Sequence, residues 1–104
     1  MSRSSRDVAA ELRELLAAES VVCVELSFAA DTSGRDAARP VHRERVQALY
    51  ANGALLAAGP WRDDTGALLV FQLSEAEVAA ELEADPYYSA PGVTIVQVRP
   101  WYPH

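Results

Sequence analysis

One helix–turn–strand unit constrains the fold more than any other part of the chain: residues 39–60, RPVHRERVQALYANGALLAAGP. Pro40 suits the first turn of a helix, because its missing N–H leaves no hydrogen bond unmade there and its φ is already helical. Asn52 and Gly53 accept the left-handed conformation that ends a helix. The pattern predicts a helix that begins near Pro40, with His42 in its first turn, followed by a strand at Leu55–Pro60. Residues at helical spacing should share one face of that helix: His42, Val46, Leu49 and Tyr50.

Apolar alternation and turn residues divide the rest of the chain into further strands and helices. Alternation predicts three more strands, with a loop and a hairpin connection between them: strands at 21–28, 68–73 and 94–99, a loop at 29–38 and a hairpin at 61–66. A second helix should follow Ser74, which has the capping-box spacing to Glu77. It should end at Asp85, because the residue before a proline is disfavoured in a helix.

The predicted order of elements defines a fold class. An N-terminal helix at 7–18 forms an extension, residues 1–20, ahead of one domain at 21–104. The order βαββαβ within that domain is the ferredoxin-like α+β arrangement. It places two helices on one face of a four-stranded antiparallel sheet.

The second face of that sheet should be partly polar, because the alternate strand positions carry Glu25, Ser27, Gln97 and Arg99. Such a face fits either plain solvent exposure or a ligand cavity closed by a second subunit, and we expect a homodimer. The first and last strands are neighbours in this topology. Glu25 could be a second acid–base group or a partner of Arg99, and the ion pair with Arg99 is the preferred prediction.

Composition excludes several classes of function. The formal net charge is -6, with 15 acidic against 9 basic residues, so the chain offers no basic patch for nucleic acid. Every basic residue is arginine, which rules out Schiff-base chemistry on lysine. No apolar run reaches the roughly 20 residues that span a bilayer. The single cysteine, Cys23, cannot form an internal disulfide, and we expect a cytoplasmic protein. Neither metal-ligand spacing nor a glycine-rich phosphate loop is visible, so no metal and no cofactor are predicted.

Two segments carry a resemblance to a known family. The unit at 39–60, together with ADPYYSAPGV at 84–93, resembles the YciI-like (YCII-related) family over about residues 21–102. The resemblance implies a ferredoxin-like domain that pairs into a dimeric α+β barrel, related in fold to muconolactone isomerases. It also implies an active site with a histidine and an aspartate, at the positions of His42 and Asp85. The predicted N-terminal helix and the short connection at 61–66 depart from the family pattern.

His42 and Asp85 are the candidate catalytic residues. At a helix N-terminus the partial positive charge would disfavour imidazolium, leaving His42 as a neutral base near pH 7. Asp85, fixed in a turn before proline, could bond one imidazole nitrogen and set its tautomer. The plainer alternatives are a half-buried histidine bonded to a loop and an ordinary Asp-Pro turn. The residues alone leave these open, and the resemblance favours the pair.

Four residues are candidate substrate contacts: Arg39, Tyr87, Ser89 and Arg99. A guanidinium matches a carboxylate, and the two hydroxyl groups could orient a ligand. The alternatives are solvated arginines and loop residues that pack or cap.

Two functions follow from these candidates, and a third, a structural interaction domain with the N-terminal helix as its contact, does not require them. The first is an enzyme that uses the histidine and aspartate as an acid–base dyad, as an isomerase, lyase or hydrolase on a small carbonyl or hydroxylated-ring compound. The second is a dimeric module that binds a small ligand without converting it.

Overall fold

The fold is a four-stranded sheet with two helices, seen in a computed structural model that describes residues 21–103. Its elements are, in chain order, β1 (Val21–Phe28), α1 (Ser33–Ala51), β2 (Leu55–Pro60), β3 (Gly66–Gln72), α2 (Glu75–Ala84), a 3₁₀ turn (Pro86–Ser89) and β4 (Val93–Pro100). The helix predicted at 7–18 lies outside the described residues.

The strands form one antiparallel sheet in the order β2-β3-β1-β4. This order confirms the ferredoxin-like α+β fold, in which β1 and β3 occupy the centre of the sheet. The pairing of β1 with β4 shifts register between Glu25 and Leu26, and Glu25 lies opposite Gln97. The Gln97 side-chain amide donates a hydrogen bond of 2.9 Å to Glu25. The predicted pair of Glu25 with Arg99 is therefore wrong, because the register puts Arg99 opposite Cys23.

The core lies between the helices and one face of the sheet. Alternate residues of β1 supply its centre, where Val22 and Val24 are fully buried and Leu26 nearly so. Phe71 of β3 and Val78 of α2 are also fully buried and belong to the same cluster. Burying one such side chain stabilises the fold by roughly 1.5–3 kcal/mol. Period-two alternation in β1 therefore decides which face of the sheet receives the helices.

Helix α1 begins seven residues earlier than the sequence pattern predicts, at Ser33 instead of Pro40. The segment interpreted as a loop at 29–38 holds its first turns, and the Asp31 side chain accepts a hydrogen bond of 3.0 Å from the Ser33 N–H at its start. Pro40 is an interior residue, where a missing N–H usually costs about 3 kcal/mol. His42 is consequently in the third turn. The prediction that a helix terminus acts on His42 is wrong, because that effect fades within one turn.

The other predicted boundaries agree with the structure to within two residues. Helix α1 ends at Asn52 and Gly53, and Gly53 has a φ of 81°, in the left-handed region. Ser74 and Glu77 form both hydrogen bonds of the capping box at the start of α2. Asp85 ends α2 and leads directly into the 3₁₀ turn.

Candidate active site

His42 and Asp85 lie in direct contact, although 43 positions separate them in the chain. The distance from His42 Nδ1 to Asp85 Oδ2 is 2.7 Å. The Asp85 side chain is 1% exposed and the His42 side chain 18% exposed. The fold creates this contact by packing α1 beside the end of α2, so that the middle of one helix meets the residue that terminates the other.

Backbone geometry fixes the Asp85 carboxylate from its other side. Asp85 Oδ1 accepts a hydrogen bond of 2.9 Å from the backbone N–H of Tyr87, which caps the 3₁₀ turn. Pro86 occupies the first position of that turn, where a proline is favourable. Both carboxylate oxygens are thus engaged, one by the backbone and one by the imidazole.

Two tyrosines hold the imidazole plane. The ring of Tyr87 stacks on His42 with 3.9 Å between centroids and 13° between planes. Tyr88 meets His42 edge-on at 5.5 Å. Burial is the main cause that raises the pKa of Tyr88, and the charge of Asp85 adds to it, so its phenol stays protonated.

The contact with Asp85 decides which imidazole nitrogen is free to react. An ionised carboxylate only accepts hydrogen bonds, so the proton of neutral His42 resides on Nδ1. Nε2 then carries the lone pair and is the nitrogen that can take a proton from a bound molecule. The arrangement can therefore act as a general base whose protonated form is stabilised by a carboxylate.

A cavity of about 310 Å³ adjoins this pair on the helix-facing side of the sheet. Leu26, Phe28 and Leu69 contribute its apolar wall, with part of β2. The polar lining comes mainly from α1, which presents Arg35, Arg39, His42 and Arg43 at helical spacing. Three of the nine basic residues of an acidic chain thus line one cavity. Such a local concentration of positive charge attracts anions.

The sequence analysis missed Arg35, because it assigned residues 29–38 to a loop. Arg35 is 2% exposed, and its guanidinium lies 3.9 Å from the centroid of the Phe28 ring. Its Nη2 donates a hydrogen bond of 2.9 Å to Asp64 Oδ2. The position of Arg35 depends on Gly34, where any Cβ would approach the Pro91 carbonyl oxygen to 2.4 Å. The spacing from Arg35 through Arg39 and His42 is the signal that could have revealed it.

The four predicted substrate contacts divide into two groups. Arg39 and Tyr87 line the cavity. Ser89 is exposed at the end of the 3₁₀ turn and donates to the Pro86 carbonyl oxygen, outside the cavity. Arg99 is an exposed residue of the edge strand β4, also outside it. The structure therefore brings only the first two to the histidine.

A second ion pair holds the two helices together next to His42. Both Arg45 Nε and Arg45 Nη2 bond the Glu81 carboxylate, each at 2.8 Å. This bidentate geometry is the strong form of an arginine–carboxylate contact. It fixes the separation of α1 and α2 one helical turn from the His42–Asp85 contact.

The remaining candidate groups do not add to this site. Cys23 is half-buried, and burial is the main cause that raises the pKa of its thiol, while the charge of Arg99 acts in the opposite direction. A raised pKa makes a thiol a poor nucleophile at neutral pH. Between residues 21 and 103 no group of three His, Cys, Asp or Glu side chains is arranged to hold a metal ion. No helix in that range is long and apolar enough to cross a bilayer.

Comparison with known proteins agrees with this architecture. No curated protein matches the chain. The YCII-related domain matches residues 9–102, which is most of the 104 residues. A match over so much of the chain establishes the family, and it extends into the N-terminal segment that precedes β1. The chain therefore belongs to the YCII-related domain family.

Proposed function

We propose that this protein is an enzyme of small-molecule metabolism that uses His42 and Asp85 as an acid–base dyad. The observation that carries the proposal is the 2.7 Å contact between His42 Nδ1 and a buried carboxylate beside a cavity that His42 itself lines. A carboxylate with both oxygens engaged orients the imidazole before any substrate arrives. Preorganisation of this kind is what general base catalysis needs.

The proposed step is a proton transfer next to a carbonyl group or on a hydroxylated ring. His42 Nε2 takes the proton, and the positive charge that develops on the ring is stabilised by Asp85. The same nitrogen returns the proton to another atom of the substrate, which gives isomerisation, or to a leaving group, which gives elimination. Stacked Tyr87 keeps the ring in one plane during both transfers.

Exchange of substrate protons with solvent tests this chemistry on simple probe compounds. Small ketones, lactones and hydroxylated aromatic acids are incubated with the protein in D₂O, and deuterium incorporation is followed by NMR. We expect exchange with at least one compound class, lost in His42→Gln and retained in Glu44→Gln. Glu44 is an exposed residue of the same helix and provides a matched control. Exchange that survives His42→Gln would refute the role of the histidine.

The binding module without turnover is the alternative that the same cavity supports. Its arginines and apolar wall could hold a small acid whether or not His42 reacts. Saturable binding with no exchange or product, in both wild type and His42→Gln, would favour this function.

We further propose that the domain pairs with a second copy, as the family resemblance implies. Apolar side chains cluster on β4 and just after it, where Val96, Val98, Trp101 and Tyr102 are all exposed in the described part of the chain. A patch of this kind is typical of an association surface. Sedimentation velocity should show a dimer that Val96→Lys weakens, and a monomer in the wild type would contradict the pairing.

A further inference from the structure

Arg35 is a buried cation with an incompletely used hydrogen-bonding surface. Only 3% of its side chain is exposed, and Asp64 binds it through a single oxygen on Nη2. Nε is buried and has no hydrogen-bond partner among residues 21–103. A buried donor without a partner is energetically unfavourable. A ligand that offers two acceptor oxygens to this guanidinium would recover that cost.

Asp64 is poorly fixed as a counterion. Its side chain is 58% exposed on the turn between β2 and β3, although its partner is almost fully buried. Its φ of 58° is in the left-handed region, which aspartate tolerates at some energetic cost. A carboxylate in this position can move into water without leaving an uncompensated buried charge of its own. The Arg35–Asp64 contact therefore has one fixed member and one that can be displaced.

We propose that Arg35 anchors a carboxylate group of the substrate and that Asp64 is the counterion which this carboxylate replaces. The proposal rests on the proposed function in one respect: the anchored molecule occupies the same cavity as His42. It identifies the substrate class as a small organic acid, and it makes Arg35 a binding residue. Neither the sequence pattern nor the family match assigns a role to this arginine.

The geometry of α1 sets the size of the acid. Arg35 and His42 are seven residues apart, which separates their Cα atoms by about 10 Å along the helix axis. The ring of Tyr87 stacks on His42, and Tyr87 lines the cavity together with both groups. A volume of about 310 Å³ is at the lower limit for ligand pockets. A single ring or a short chain that carries one carboxylate fits these limits.

The surroundings of Arg35 favour a charged ligand over a neutral one. The face of Phe28 covers the guanidinium, whose Cζ lies 3.9 Å from the ring centroid. Arg39 and Arg43 add positive charge to the same lining, whereas Asp64 is the acidic residue there. A carboxylate offers such a group two acceptor oxygens and a negative charge, whereas an amide of the same shape offers one uncharged acceptor.

Two pairs of probes test the proposal: benzoate against benzamide, and isobutyrate against isobutyramide. Each pair has the same shape and differs in charge. The ¹⁵N-labelled protein is titrated at low salt, and the Arg35 Nε–Hε resonance, assigned by its absence in Arg35→Lys, is followed by NMR. We expect the acid of at least one pair to bind at least tenfold more tightly than its amide and to shift the Arg35 Nε–Hε resonance. Equal affinities within both pairs, or no binding of either acid, would overturn the proposal.

Three variants separate Arg35 from general charge effects. Arg35→Lys keeps the charge but loses the planar fork, and it should reduce the preference for the acid at least tenfold. Arg99→Gln removes one positive charge outside the cavity and should leave the preference unchanged. Asp64→Asn, an exposed change that does not disturb the core, should strengthen acid binding severalfold because the competing carboxylate is gone. Weaker acid binding in Asp64→Asn, or loss of the preference in Arg99→Gln, would contradict the proposal.

These measurements do not require turnover, so they separate this proposal from the catalytic one. A carboxylate preference without any proton exchange would support the anchor and refute the enzyme. Exchange with neutral carbonyl compounds and no carboxylate preference would give the opposite result.

Discussion

Replacing Asp85 by asparagine should change the tautomer of His42 while leaving the fold nearly intact. The asparagine oxygen can still accept the backbone N–H of Tyr87, which Asp85 Oδ1 now accepts at 2.9 Å. The amide nitrogen must then face the imidazole at the position of Oδ2. Because that nitrogen only donates, His42 Nδ1 has to accept, and the ring proton moves to Nε2. The nitrogen proposed to act as the base would lose its lone pair.

The stability cost of this substitution follows from the bonds exchanged. A hydrogen bond to a charged group contributes about 1.5–3 kcal/mol and a neutral one about 0.5–1.5, so the difference is about 1 kcal/mol. For a domain of this size that lowers the melting temperature by about 4–8 °C. Asp85→Ala should cost roughly 1–3 kcal/mol more, because it also leaves the buried Tyr87 N–H without a partner.

Two measurements check the reasoning together. Long-range ¹H–¹⁵N spectra of the imidazole identify the protonated nitrogen, and thermal unfolding gives the stability of both variants. Any proton-exchange activity should fall by a factor on the order of 10⁴ in Asp85→Asn, as for a triad histidine held in the wrong tautomer. An unchanged tautomer in Asp85→Asn, or equal stability of the two variants, would refute the structural account of the dyad.

Three further predictions concern stability. Phe71→Ala should lower the free energy of unfolding in urea by about 3–5 kcal/mol, because Phe71 is fully buried at the centre of the core. A smaller loss would mean that neighbouring side chains fill the space left by the ring. Ser74→Ala should cost about 1 kcal/mol in the same assay, since it removes the side-chain half of the capping box with Glu77. The hydrogen bond from Arg35 lowers the pKa of Asp64, so this pair stabilises the fold fully above the ordinary carboxylate pKa and less as the pH falls below it. As the pH drops below about 4, the melting temperature of Asp64→Asn should therefore fall less than that of the wild type.

The sequence predicted the elements best where a local signal agrees with the packing. The bounds of β1 and β2, the capping box at Ser74 and the stop at Gly53 each depend on residues that decide the backbone conformation by themselves. The predicted start of α1 was wrong because there the local signal disagrees with the packing. Pro40 is a strong local signal for a first turn, but the helix continues through it. Burial of Arg35 against Phe28 in the preceding turns is a tertiary effect that overrides the local preference.

The site residues were also predicted where a local signal exists and missed where only the folded structure brings residues together. His42 and Asp85 were predicted as partners from family resemblance and turn chemistry, and the structure puts them in contact. The explanation offered for the histidine, a helix N-terminus, is wrong because the helix starts earlier. Arg35 was missed because residues 29–38 were assigned to a loop. Its spacing to Arg39 and His42 indicates a shared helix face, but it does not show that the arginine is buried. Its hydrogen-bond partner Asp64 is 29 positions away, and only the folded sheet brings the two together.

The two ends of the cavity differ in how firmly they are held, and this difference bears on the proposed mechanism. At one end, two side-chain contacts connect α1 with α2 and the residue that ends it: His42–Asp85 and Arg45–Glu81. The backbone N–H of Tyr87 also binds the Asp85 carboxylate. The proposed proton transfer requires the reacting atoms to stay at fixed distances, and this end of the cavity is the firmly held one. At the other end, Asp64, the counterion of Arg35, is mostly exposed to solvent on the turn between β2 and β3. An acid that displaced Asp64 would therefore be accepted by movement of the turn, while the geometry at the imidazole stayed unchanged.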